Sequence, residues 1–134
     1  MPNIPPKTSS KPPAWPPPPA EKRALLDGVH AAIREALQTP EWDRTQRLHE
    51  HAPENFDIPP NRTERFTLIE IPLFPGRSLE AKRALYQALV RNLGELGIPA
   101  SDVFIVLHEP PMENFGIRGG QPASEVDLGF AVKV

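Results

Sequence analysis

The 134-residue sequence contains no cysteine, which excludes disulfide bridges and thiolate metal sites and allows a reducing compartment. It also lacks an excess of charge. Fifteen basic and seventeen acidic side chains are interspersed without long blocks, so neither nucleic acid nor an anionic membrane surface is an expected partner. The N-terminus has no apolar stretch of signal-peptide type, and no run approaches transmembrane length. A soluble, cytoplasmic protein is therefore the expectation. What is abundant is proline: nineteen residues, which dilute the hydrophobic fraction to 39% and crowd the first nineteen positions. The length is that of one ordinary domain, and its core must come from the residues that follow.

Those residues repeat themselves. Leu48-His49-Glu50, followed after three residues by Glu54-Asn55-Phe56, recurs fifty-nine positions later as Leu107-His108-Glu109 and Glu113-Asn114-Phe115. Upstream, Lys22-Arg23-Ala24-Leu25-Leu26 matches Lys82-Arg83-Ala84-Leu85-Tyr86 at a spacing of sixty, so a one-residue deletion separates the two registers. Two copies are too few for a solenoid, which needs three or more repeats to bury a continuous core. The reading is a Pro-rich segment over 1–19 followed by one compact domain over 20–134 that is built of two fused halves. Within the domain, repeat one spans about 20–60, repeat two about 61–120, and a C-terminal strand 121–134.

The second copy has the clearer pattern. Phe66-Thr67-Leu68-Ile69-Glu70-Ile71 reads as a strand continuing to Phe74. Gly76 breaks it and Ser78 is suited to cap a helix. Leu85, Leu89, Leu93 and Leu96 then recur at helical spacing until Gly97 and Pro99 end the pattern. Val103-Phe104-Ile105-Val106-Leu107 is a short apolar run of the kind found in parallel sheets covered on both faces. A helix between two strands implies a right-handed crossover and a parallel pair.

The expected fold class is therefore α/β, or α+β in some schemes. Tandem β-α-β units would make a four-stranded sheet with two helices on one face. The first copy keeps its helix, with Leu25, Leu26, Val29, Ile33 and Leu37 on one side, and a weaker strand near 45–50. Its first strand is degenerate, because the corresponding residues 5–18 are rich in proline, which no central strand tolerates. That run favours polyproline II, and reads either as a flexible tail or as a ligand for an aromatic groove. Val126, Leu128, Phe130, Val132 and Val134 alternate with smaller or polar residues and predict the additional C-terminal strand.

The β-α-β duplication, the Phe74-Pro75-Gly76-Arg77-Ser78 turn, the Glu113-Asn114-Phe115 motif and the Gly116-Ile117-Arg118-Gly119-Gly120 segment together resemble the tautomerase superfamily. The likeness is closest to its fused, double-length members related to malonate semialdehyde decarboxylase and the cis-chloroacrylate dehalogenases, and it runs from about residue 20 to the C-terminus. The resemblance implies a homotrimer and a small carboxylic acid substrate, with no cofactor. It also implies an active site around a proline made N-terminal by loss of the initiator methionine, the position of Pro2. A proline amine near an apolar wall and a guanidinium has its pKa pushed down from about 8 toward neutrality, where it serves as a base.

By the same resemblance, Arg77 aligns with an arginine that binds the substrate carboxylate, and its fork can engage both oxygens. Asp43 aligns with an aspartate that assists water activation. Arg118, bracketed by glycines, and Phe115 are candidate substrate contacts. Each residue has a plainer reading: a solvated cation at a helix start for Arg77, a turn aspartate for Asp43, and a flexible turn around Arg118. Phe115 stands where relatives often carry tryptophan, and Pro75 stands near a further arginine of the decarboxylase, so the match to that enzyme is incomplete. His49 and His51 alternate on one side of the expected strand with Glu50 on the other, a poor arrangement for a metal. Two functional classes follow: a tautomerase-type enzyme, including decarboxylase or hydratase variants of the same site, and a non-catalytic oligomer whose amine is disabled.

Overall fold

The structure, a computed structural model, describes residues 19–130 and Val132. The degenerate first strand expected over 5–18 and the position of Pro2 lie outside the described residues. The order of the larger elements is α1 (Pro19–Leu37), β1 (Thr67–Pro72), α2 (Leu79–Gly94) and β2 (Val103–His108). A short hairpin follows, formed by β3 (Gly116–Ile117) and β4 (Gln121–Pro122).

β1 and β2 pair in parallel, with Thr67 opposite Val103 and Ile71 opposite Leu107. The crossover is α2, whose N-terminus is capped as its sequence predicts: the Ser78 hydroxyl accepts the Ala81 N–H at 3.1 Å. One face of the sheet is covered. Ile69, Ile71 and Leu73 are buried and share a single core with Val29, Ala32 and Leu37 of α1 and with Leu85, Leu89 and Leu93 of α2. Leu85, Leu89 and Leu93 are fully buried, the consequence of three leucines four residues apart on one helical stripe. The helices meet at Gly28, where the Asn92 amide donates to the Gly28 carbonyl at 2.9 Å.

The repeated sequence is accompanied by repeated local structure. α1 and α2 begin sixty positions apart, at Pro19 and Leu79. The 3-10 turns Pro53–Asn55 and Met112–Asn114 lie fifty-nine apart. Gln38 and Gly97, also fifty-nine apart, both have positive φ (57° and 89°) just beyond a helix. Lys22 forms an ion pair with Glu50, and Lys82 forms one with Glu109 at 2.7 Å. In both cases the first turns of a helix are tied to the residue after the Leu-His dipeptide.

Four expectations need correction. The sheet containing β1 has two strands rather than four among the described residues. Residues 45–50 form no strand, because this polar stretch has little to bury and is fastened to α1 by side chains instead. Arg44 donates to Asp27 at 2.6 Å and to Gln46 at 2.7 Å, and Gln46 donates to the Leu26 carbonyl at 2.8 Å. The donated Arg44 hydrogen bond is the main reason the Asp27 carboxyl titrates below its ordinary value. Among the described residues the C-terminal strand expected over 121–134 is present only as β4: Gly129 has φ 80° and its N–H is taken by the Asp127 carboxylate, which bends the chain. Finally, β2 is covered on one face rather than two, leaving Phe104 56% exposed beside the register partner Leu68, 42% exposed.

Leu89→Ala should destabilise the fold by about 2–5 kcal/mol, the usual result of emptying a fully buried leucine site. Urea denaturation followed by circular dichroism would measure it, and an effect below about 1 kcal/mol would contradict the placement of α2 over the sheet.

Candidate active site

The link between β1 and α2 carries a buried arginine. Beyond Pro72 the chain leaves the sheet and passes Gly76 at φ 128°. It then places Arg77 immediately before the helix cap Ser78. Arg77 is only 8% exposed. Its Nη1 donates to the Phe74 carbonyl at 2.9 Å, while its Nε is buried without a hydrogen-bond partner. Among the described residues no carboxylate lies within ion-pair distance of it.

A buried, incompletely bonded cation is expensive in a fold. Burial pushes the Arg77 guanidinium below its ordinary pKa, while the charges of Asp43 and then Glu109 act in the opposite sense. Both carboxylates are thus close enough to be felt without being paired to it. The N-terminus of α2, with its unpaired N–H groups, adds further positive potential. The combination favours an incoming anion, and a planar carboxylate matches the arginine fork.

The other candidate residues are distributed unequally around this centre. Phe115 packs edge-to-face on Phe74 with ring centroids 4.8 Å apart, so it belongs to the apolar wall of the segment whose carbonyl holds Arg77. Asp43 is exposed, in a turn closed by its N–H on the Pro40 carbonyl at 3.1 Å. Arg118 sits on the β3–β4 hairpin at φ 47°, and its guanidinium donates outward to the Asp127 carbonyl at 2.7 Å. Its loop is a hairpin turn: the Gly120 N–H is taken by the Ile117 carbonyl at 3.1 Å. The structure therefore groups Arg77, Phe115 and the charge of Asp43, and directs Arg118 elsewhere. Sequence reasoning missed Glu109 and its partner Lys82. The available signal was the repeat itself, since Lys22 and Glu50 recur as these two residues.

A parallel β-α-β core with a buried arginine at the carboxyl end of its first strand places that residue where open α/β sheets commonly take their ligands. Comparison with known proteins gives this arrangement a family. A family model described as a tautomerase enzyme matches residues 43–118, more than half of the chain, and the protein belongs to the tautomerase superfamily. It is 39% identical over 51 residues to 2-hydroxymuconate tautomerase of Comamonas testosteroni, a match covering 37% of this chain and 81% of that enzyme. Nearly the whole relative therefore corresponds to less than half of this protein.

Over its longer extent the chain resembles a crystal structure of malonate semialdehyde decarboxylase, described with decarboxylase and hydratase activities. The TM-score is 0.72 at 26% identity, covering 80% of this chain and 88% of that one. It also resembles a fused 4-OT solved as a symmetric trimer, with a TM-score of 0.71 at 29% identity and the same coverage of both chains.

Because Arg77 burdens the fold, Arg77→Met should leave stability unchanged or raise it by about 1 kcal/mol, since a buried cation replaced by an apolar side chain of similar length is often neutral or favourable. A loss of more than about 2 kcal/mol on chemical denaturation would show instead that the guanidinium is a structural tie.

Proposed function

We propose that the protein is a tautomerase-type isomerase acting on a small 2-oxo or 2-hydroxy-enoic acid by amine acid-base catalysis. The observation that carries this reading is Arg77, buried, short of a hydrogen bond and without an ion-pair partner among the described residues. A substrate carboxylate supplies both missing interactions. The base is the secondary amine of Pro2, freed by removal of Met1. It takes a proton from the enol and returns it at carbon, while Arg77 holds the carboxylate and stabilises the enolate that develops between the two transfers. Phe74 and Phe115 form the apolar wall against which the rest of the substrate lies. We assign Asp43 a part in proton or water handling, and leave Arg118, whose guanidinium is held by the Asp127 carbonyl, outside the site.

One observation favours a second reading within the same site. Asp43 acts electrostatically on Arg77, and the likeness to malonate semialdehyde decarboxylase covers most of both chains. An aspartate near the bound carboxylate suits hydration or decarboxylation of a 3-oxo acid. A non-catalytic oligomer is the remaining alternative, and applies if the Pro2 amine is not free.

The assembly we assign is a homotrimer. Its support is the open sheet face, where Leu68 and Phe104 lie side by side, together with the likeness to a trimeric fused relative. An apolar sheet face of this kind is covered either within a chain or by another copy.

Mass spectrometry of the purified protein should find Pro2 as the mature N-terminus, and the protein should ketonise phenylenolpyruvate or 2-hydroxymuconate. Arg77→Ala should raise KM and slow turnover by roughly a hundredfold or more. Pro2→Ala should reduce the rate without abolishing it, because an amine remains, whereas retention of Met1 should abolish it. No turnover by processed protein on either enol would leave the decarboxylase or the non-catalytic oligomer, whereas an unchanged rate in Pro2→Ala would remove the Pro2 amine from the mechanism. Phe104→Asp should yield monomers by light scattering at micromolar concentration. A wild-type mass equal to one chain would dispose of the trimer.

A further inference from the structure

Glu109 follows His108, which lies opposite Pro72 and whose carbonyl accepts the Leu73 N–H at 2.7 Å, so this acid stands at the same end of the sheet as the Arg77 turn and its charge acts on the guanidinium. Glu109 is not free to move onto the arginine. Its Oε1 is held at 2.7 Å by the Lys82 ammonium, and the two side chains are only 23% and 25% exposed. At that degree of burial an ion pair is screened less than one in open solvent. Lys82 itself is fixed by the first turns of α2, where its N–H donates to the Ser78 carbonyl at 3.1 Å. The helix that starts at the arginine therefore also carries the cation that restrains the arginine's competitor.

We propose that Lys82 is a positioning residue of the carboxylate site: by clamping Glu109 it keeps that carboxylate from neutralising Arg77, so that the guanidinium stays open to the substrate's carboxylate. This rests on the proposed role of Arg77. With Lys82 present, two cations and two carboxylates balance around the site; without it, Asp43 and Glu109 outnumber Arg77, and an incoming anion meets a net negative charge. Glu109 also becomes free to swing toward the guanidinium, and an internal carboxylate, needing no association entropy, competes well with a ligand.

The repeat provides a control within the same chain. Lys22 and Glu50 form the equivalent ion pair, with side chains 36% and 34% exposed. The position sixty before Arg77 is Pro17, which carries no charge. The first-copy clamp therefore has no arginine to protect, and its removal disturbs the fold in the same way without touching the anion site.

The test is calorimetric titration of the full-length protein with phenylpyruvate, the keto product of phenylenolpyruvate, in wild type and in R77A, K82M, E109Q, K82M/E109Q and K22M. We expect K82M to bind about tenfold more weakly, equivalent to ~1.4 kcal/mol. E109Q should bind as well as wild type or better, and K82M/E109Q should recover to within about twofold of wild type. K22M should match wild type in binding while showing a thermal shift similar to that of K82M. Wild-type affinity in K82M overturns the proposal. So does a double variant as weak as K82M, which would mean that Lys82 contacts the ligand directly or serves only the fold. R77A reports separately on the underlying reading: if it binds phenylpyruvate as wild type does, the assignment of Arg77 fails, whatever the lysine variants show.

Discussion

The packing of a single sheet face against two helices is the constraint on which the rest of the structure depends. Parallel strands cannot be joined by a tight turn, so β1 and β2 require a crossover, and the crossover must return across the face that carries Ile69, Ile71 and Leu73. The fully buried leucines of α2 meet that requirement. Once they are in place, the start of α2 is held at the carboxyl end of β1. Arg77 occupies the short link between them, so its burial follows from the connection rather than from any affinity of arginine for the interior.

The Arg77 turn has the character of a place where stability is given up. A guanidinium with an orphaned N–H is tolerated only where the surrounding structure over-determines it. Here the Phe74 carbonyl, the Ser78 cap and the core beneath α2 do so. Carboxylates are present nearby but are arranged to be felt rather than paired. Asp43 is held away by a turn whose neighbours are fastened to α1 through Arg44 and Gln46, and Glu109 is held by Lys82. The Nε of the arginine stays without a partner among the described residues.

The two copies of the repeat have kept their mechanical parts and lost their chemical equivalence. Helix starts, 3-10 turns, positive-φ helix ends and the lysine-glutamate tie recur at the spacing of the sequence repeat. The arginine does not recur, since proline stands at its counterpart. The β3–β4 hairpin likewise follows the second copy only among the described residues, with Arg118 turned toward Asp127 on its outer side.

Much of the fold was legible in the sequence because its signals are local. The leucine spacing of α2, the Ser78 cap, the left-handed stop at Gly97 and the apolar strand at 103–107 depend on neighbours a few residues away, and each appears where the pattern puts it. Strand pairing is not local. Residues 45–50 and 126–130 carry partial strand patterns, yet side-chain tethers to α1 hold the first and a bend at Gly129 interrupts the second, and neither competitor shows in a hydropathy pattern. The site divides in the same way. The Arg77 turn was recognisable as a motif, but its burial, its orphaned Nε and the charges of Asp43 and Glu109 beside it arise from segments more than thirty residues apart. The sequence by itself determined which residues make helices, turns and the apolar stripe, since those are decided by backbone geometry and spacing. Only the tertiary structure decided which charges meet and which remain unpaired, because desolvation and Coulomb energy depend on distance through space.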